Sequence, residues 1–481
     1  MKVAFVTFGC RLNHAESLDL EARYRAAGHE IIDLGGPRPV AAEEPVTGGP
    51  RSCAAETPDL ILVRGCSVTA KAQRDCEKTI AHLRARFPTS EIRPIGCLPN
   101  AQSTGTVPTI FFPNAQSTGT GPAISVGTDP KILGTVPKNS GTVPMQKSRA
   151  YLKIQDGCSG KCAFCIVPHF RGPPVSIPLS EIMVRTKAFL AAGYREIVLT
   201  GCNISLYKSD GHNLASLLDI LAELGTEPNW ENRHLGGVSQ RCAAKMAAFP
   251  VKCPSAGTVP VEKIAGTVPM GEIAGTVPVR IRIGSLEPGK ECEKILDVMA
   301  QHPNICRFLH LSLQSGSDRV LKRMNRPYEI TWAERFCTMA RERLGPDLAL
   351  GADIITGFPG ETDEDFEATR EFLVRHAFSN LHVFPYSERP GTPAATMDGS
   401  IPRSVRLVRA RNLTALGRVQ RAAFAQTFLG REVEVCVERG GEHGWTDAYL
   451  PCKWKGPAER RSLVRKRVIA VDGDILLASG N

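Results

Sequence analysis

Residues 156 to 172 read DGCSGKCAFCIVPHFRG and carry Cys158, Cys162 and Cys165 in a C-x3-C-x2-C spacing. Three thiols on one short loop are a soft ligand set suited to zinc or iron–sulfur chemistry. Iron–sulfur cubanes are held by cysteine thiolates, normally four of them. Three ligands leave one iron open, and the open corner is a place for a reactive cofactor. The bland alternative is a structural zinc site that recruits His169 as its fourth ligand.

A second trio lies near the start of the chain. Cys10 follows KVAFVTFG, Cys66 follows DLILVRG and Cys97 follows EIRPIG, so each stands after a glycine at the end of an apolar run. Parallel strands end on one side of their sheet, so cysteines far apart in sequence can converge there. That arrangement predicts a second three-thiolate cluster. One such cysteine alone would read as an ordinary buried thiol. The other ten cysteines, among them Cys53, Cys76 and Cys202, read as core or surface thiols.

These residues need a scaffold, and 481 residues are enough for two or three domains. Sixteen irregularly spaced cysteines behind a start with no secretory pattern argue for reduced thiols and a cytoplasmic location. No apolar run reaches about 18 residues, so no membrane span is expected. The net charge of +10 suggests a polyanionic partner.

The tetrapeptide GTVP recurs at positions 105, 134, 141, 257, 266 and 275, and NAQSTGT occurs at 100 and 114. Such Gly-, Thr- and Pro-rich repeats lack the apolar periodicity of a core and read as low-complexity insertions. The remainder alternates between strand and helix patterns and predicts an α/β fold in three parts. Residues 1–97 form a small parallel-sheet α/β domain, and 98–147 are an insertion or linker. Residues 148–400 carry six βα units, which predict a partial TIM-like (βα)6 barrel interrupted by a second insertion at 226–279. A basic helical connection spans 401–430. Residues 431–481 alternate with period two, as a small β-barrel does.

The chain resembles the radical S-adenosylmethionine enzymes in the C-x3-C-x2-C loop after the first barrel strand. It resembles their methylthiotransferase family more closely, through FGCRLNHAES, CSVTAKA, YLKIQDGCSGKCAFCIVPHFRG, REIVLTGCNIS, HLSLQSGSDRVLKRMNRPY, DIITGFPGETDEDF and HVFPYSERPGTPAA. KIQDGC and HVFPYS are most similar to the branch acting on threonylcarbamoyladenosine in tRNA. The resemblance implies two [4Fe–4S] clusters and S-adenosylmethionine as cofactors, with a radical SAM barrel followed by a TRAM RNA-binding barrel. It implies transfer of a methylthio group to C2 of the modified adenosine at position 37, in the tRNA anticodon stem-loop. Cys158, Cys162 and Cys165 would hold the radical-generating cluster. Cys10, Cys66 and Cys97 would hold an auxiliary cluster that delivers sulfur. The sequence singles out no catalytic side chain, electron donor or sulfur donor.

Gly201, Asn203, Glu287 and Gln314 follow barrel strands at the rim, where cofactor polar groups would lie, and Tyr386 occupies a similar position. Each could equally cap a loop. GFPGE at 357–361 reads as a tight turn before a helix and need not bind phosphate. The segment 402–431 has seven arginines and no acid. It fits either phosphate contacts or a solvated helix face, and its place beside an RNA-binding barrel favours phosphate. One departure from the family is that Arg64 and Gly65 precede Cys66, where an Asn-Thr pair is usual. Two other functions are methylthiolation of a ribosomal protein aspartate and a non-catalytic Fe–S RNA-binding protein.

Overall fold

A computed structural model describes residues 1–32, 34, 57–98, 148–224, 279–289 and 291–480. Both GTVP-bearing segments lie outside the described residues, apart from Leu98 and Val279 at their margins. The described residues fall into two units, one up to residue 98 and one from residue 148 onward.

The first unit is a four-stranded parallel sheet of β1 (Lys2–Thr7), β2 (Glu30–Ile32), β3 (Leu60–Gly65) and β4 (Glu91–Gly96), in the order β2-β1-β3-β4. Parallel sheets are covered on both faces, which accounts for the nearly unbroken apolar run Leu60–Val63. Helices Arg11–Ala26 and Ala70–Arg86 provide the crossovers. Thr69 starts the second helix by accepting the Ala72 N–H at 3.1 Å. Leu98, assigned from sequence to a linker, is buried in the same core.

The second unit opens with β5 (Ala150–Lys153), then the short antiparallel pair β6 (Gln155–Asp156) and β7 (Val175–Ser176), followed by β8 (Glu196–Thr200). A small hairpin, β9 (Lys208–Ser209) with β10 (His212–Asn213), precedes helix Leu214–Leu224. Next come β11 (Arg280–Arg282), β12 (Ser285–Leu286), β13 (Phe308–Gln314), β14 (Ala349–Thr356) and β15 (Asn380–Pro385).

The six predicted barrel strands are present, all parallel, in two sheets: β11-β8-β5 and β12-β13-β14-β15. The third predicted strand is split at Ile283–Gly284, so its halves, β11 and β12, belong to different sheets. A Cβ on Gly284 would lie 2.6 Å from the Leu199 carbonyl oxygen, and glycine allows this close approach. Alternation along β13 sends Leu309, Leu311 and Leu313 into a core shared with the outer helices. Each such buried leucine contributes about 1.5–3 kcal/mol.

A long helix, Arg403–Gln426, leads to a closed barrel of β16 (Glu432–Val437), β17 (His443–Thr446), β18 (Pro451–Lys453), β19 (Leu463–Asp472) and β20 (Ile475–Ala478). The place of these arginines beside the predicted RNA-binding barrel favoured phosphate contacts, yet four of the seven have partners within the chain. Arg406 donates to the Tyr386 carbonyl and to Glu388, and Arg409 to Glu361 and Asp363. Arg421 is paired with Asp474 and Arg431 with Asp347. Arg403, Arg411 and Arg418 are exposed.

Beneath the inner strands, Glu196 is fully buried between two arginines, each donating its Nε–H at 2.7 Å. The remaining donors of Arg280 reach the carbonyls of Glu434 and Trp445, and those of Arg282 reach Asp447 and Thr446. Burial opposes ionisation of Glu196, but the two guanidiniums outweigh it and hold its carboxyl far below the usual range. The C-terminal barrel is thereby tied to strands β8 and β11.

Candidate functional site

The Cys158 loop is fixed before the first cysteine is reached. Gln155 is fully buried, and its amide nitrogen donates to the Asp156 and Gly157 carbonyls at 2.7 Å each. Gly157 has φ +65°, and a Cβ there would lie 2.0 Å from the Pro173 carbonyl oxygen, so the turn requires glycine. Asp156 is paired with Lys153 at 2.5 Å and Arg171 at 3.0 Å. Further along, the Ala163 N–H donates to the Met324 carbonyl and the Asn325 amide to the Lys161 carbonyl.

Within this frame the three thiols act on one another. Burial pushes the Cys165 thiol up to about 11; the Val167 N–H and Arg326 oppose this, and the Cys162 and Cys158 sulfurs add to it. Burial also raises Cys162, against the pull of Arg326, whose Nη1 lies 2.9 Å from its sulfur. Crowded, partly buried thiolates repel one another, and a metal core relieves that repulsion. A single zinc ion fits poorly. Ligands on zinc lie about 3.3–3.8 Å apart, whereas no cysteine belongs to a His/Cys/Asp/Glu triplet, among the described residues, with ligand atoms all within 4.8 Å. A cubane binds each thiolate through a different iron, so the donor set and its wider spread fit a cluster.

A polar chain runs from this loop along the rim. Arg326, which donates to Cys162, is also 3.1 Å from Glu287 and donates to the Ser312 carbonyl. Glu287 accepts from the Asn203 amide at 2.5 Å, and the Asn203 N–H donates to Gln155 Oε1 at 2.9 Å. A Cβ on Gly201 would meet the Gln155 carbonyl oxygen at 2.7 Å, so this glycine lets the two loops touch. Gly201, Asn203 and Glu287 therefore lie in one connected rim, with Asn203 also capping the Ile204–Leu206 turn. Gln314 is buried at the end of β13 with φ +70°, an uncommon backbone for a non-glycine residue. Tyr386 lies apart from the chain, packed on Phe358 beneath Arg406.

Sequence reasoning missed Arg326 and Gln155. Both lie in quoted motifs, RMNRPY and KIQDGC, but an isolated arginine or glutamine has no periodicity to mark it. GFPGE closes on itself: buried Glu361 accepts the Gly357 N–H at 2.6 Å and Arg409 at 2.5 Å.

In the first unit, Cys10, Cys66 and Cys97 lie just beyond β1, β3 and β4. A Cβ on Gly9, at φ +95°, would come 2.7 Å from the Cys66 Cβ, so the first two loops are in contact. Burial pushes the Cys66 thiol up to about 11; the Val68 N–H opposes this, and Cys10, Cys97 and Cys76 reinforce it. The three strand-end cysteines are thus electrostatic neighbours, and their soft, crowded donor set suits a cluster in the same way. Cys76 stands behind them in the core and accepts the Cys66 N–H at 3.4 Å. Buried Asn13 ties the loops by donating to the Phe8 carbonyl at 2.8 Å and the Gly65 carbonyl at 3.0 Å. Arg64 pairs with Glu16 at 2.8 Å and bonds Ser17, which anchors the first helix to β3.

The chain is similar to several known proteins. Residues 152–373 match the family model of the radical SAM superfamily. The threonylcarbamoyladenosine tRNA methylthiotransferase of Bacillus subtilis (strain 168) is 29% identical, covering 94% of this chain and 90% of the relative. The tRNA-2-methylthio-N(6)-dimethylallyladenosine synthase of Cereibacter sphaeroides (strain ATCC 17025 / ATH 2.4.3) is 28% identical over 92% of this chain and 88% of its own length. A solved radical S-adenosylmethionine methyltransferase from Kitasatospora setae aligns with a TM-score of 0.48 and 15% identity, covering 82% of this chain and 77% of that one. A radical SAM domain takes a [4Fe–4S] cluster and S-adenosylmethionine. The chain carries a radical SAM domain and is similar over most of its length to tRNA methylthiotransferases.

Proposed function

We propose that this enzyme places a methylthio group on C2 of N6-threonylcarbamoyladenosine at position 37 of tRNA. The observation that carries the reading is the presence of two separate cysteine triplets, one per unit, in a chain similar end to end to an enzyme named for that nucleoside. In this reading Cys158, Cys162 and Cys165 hold the radical-generating cluster, and Cys10, Cys66 and Cys97 hold a second one. When bound, the first cluster and S-adenosylmethionine supply the electron and radical that an unactivated aromatic C–H requires.

The chain's own residues bind and orient. Arg326 donates to the Cys162 sulfur and pairs with Glu287 beside Asn203, presenting a carboxylate and an amide to cofactor polar groups. Gln155 fixes both the cysteine loop and the Asn203 loop, so cluster and cofactor sites move together. On the C-terminal barrel, Lys453, Lys455, Arg465 and Arg467 are exposed and offer phosphate contacts to the anticodon stem-loop. The target base must leave its stack to reach the rim.

Mass spectrometry of tRNA nucleosides from a deletion strain tests this. The 2-methylthio derivative of threonylcarbamoyladenosine should disappear and return on complementation. Loss of the 2-methylthio derivative of dimethylallyladenosine instead would transfer the assignment to the second kind of relative. An unchanged tRNA pool would reject the tRNA substrate.

A further inference from the structure

Three residues on β13, β14 and β15 have no part in the reading above. Alternation that turns Leu309 and Leu311 outward turns His310 inward, and Asp353 and His382 alternate likewise with Ala352 and Leu381. Parallel register sets Asp353 directly opposite His382, and His310 opposite Gly351. A Cβ on Gly351 would lie 2.5 Å from His310 Nδ1, so only glycine admits the imidazole there. Asp353 Oδ1 lies 3.0 Å from His310 Nε2 and 3.2 Å from His382 Nδ1. The His310 side chain is 3% exposed, while His382, at 44%, leaves one side open. Among the described residues this is the His/Cys/Asp/Glu triplet whose ligand atoms all lie within 4.8 Å of one another.

A hydrogen-bonded triad is the simpler explanation, and two features point beyond it. Bonds of about 2.0–2.2 Å separate neighbouring ligand atoms by about 2.8–3.1 Å in octahedral and about 3.3–3.6 Å in tetrahedral geometry, so spacings of 3.0 and 3.2 Å fit the first and reach the second by a shift of a few tenths of an ångström. The Asp353 carboxylate is also a partly buried anionic oxygen donor between two imidazoles, a setting that a cation complements. Two histidines and one carboxylate with an open side suit a first-row transition ion. Magnesium and calcium, which prefer all-oxygen shells, match it poorly.

We propose that His310, Asp353 and His382 bind one divalent transition-metal ion, of the Zn2+ or Fe2+ class, inside the barrel and separate from both cysteine triplets. The proposal does not depend on which nucleoside is modified.

Zinc is the probe. Anaerobically reconstituted enzyme carrying its clusters is equilibrated with Zn2+ and desalted, and zinc and iron are counted on the same sample. Wild type should retain about one zinc per chain more than His382→Ala, at equal iron. The exposed position of His382 makes that variant compatible with folding. Asp353→Asn, which keeps the shape and removes the charge, should weaken zinc binding at least about tenfold. Equal zinc in wild type and His382→Ala would mean a hydrogen-bonded triad only and would overturn the proposal. A zinc difference that tracks a loss of iron would overturn it too, because the zinc would then belong to the cluster sites.

Discussion

The two cysteine triplets bring three thiols together by opposite routes. Cys158, Cys162 and Cys165 lie on one loop, and their spacing is set by a local turn at Gly157 and by bonds to Met324 and Asn325. Cys10, Cys66 and Cys97 come from the ends of three strands, and their proximity is a product of sheet register. A loop-borne site is broken by changes to the loop, whereas a site assembled from strands is broken by anything that shifts the strands.

The largest effects expected are losses of activity that separate the two sites. Cys158→Ala should abolish cleavage of S-adenosylmethionine, and Cys66→Ala should spare cleavage but stop sulfur insertion. Each should lower the reconstituted iron from about eight to about four per chain. Sulfur insertion by the Cys66 variant would remove the auxiliary role from the strand-end trio.

Glu196→Gln removes the buried counter-charge of two guanidiniums, leaving Arg280 only the more exposed Glu434 at 3.7 Å, and should cost about 3–5 kcal/mol. Denaturant unfolding should show that loss in the second unit, with iron at the strand-end trio unchanged. A smaller change, Asn13→Ala, removes the donor to two carbonyls and should cost about 1–3 kcal/mol. It should deplete iron from the strand-end trio alone, since the loop-borne trio has its own supports.

The smallest effect is a pH response common to both sites. Cys66 and Cys165 are each pushed up to about 11, so at neutral pH both thiols are protonated and iron must displace the protons. Cluster loading should therefore weaken as pH falls, about tenfold per unit for each proton released. Titration of loading between pH 7 and 9 should give the same sign at both triplets; opposite signs would break the symmetry of their ligand sets. An acid limit on the fold is separate. Asp365, lowered to about 2 by Arg319, Ser317 and Thr362 against its burial, contributes stability above about pH 4 that is lost as pH falls through 2.

Much of this was legible in the sequence, because apolar periodicity and glycine punctuation are local signals. They located the parallel sheet of the first unit, the six barrel strands and the small C-terminal barrel. The loop-borne triplet could be read from spacing alone, and the strand-end triplet from a repeated glycine-cysteine context. Other features depend on partners remote in sequence. Arg326 acts through Glu287 and Cys162, and nothing near it announces either. Net charge told little about the arginine-rich helix, because Arg406 and Arg409 look the same in sequence as exposed Arg411. The split at Gly284 depends on a close approach to Leu199, which a strand pattern does not encode.

The clasp formed by Arg280, Arg282 and Glu196 bears on how such an enzyme can be dissected. Cutting the chain ahead of Arg431 would take away four carbonyl acceptors and leave both guanidiniums facing solvent at the base of the catalytic domain. The C-terminal barrel is thus a floor, and not a detachable handle. Its reach toward a nucleic acid is fixed when the chain folds, so swapping that barrel for a foreign one should fail unless the borrowed module brings its own matching carbonyls.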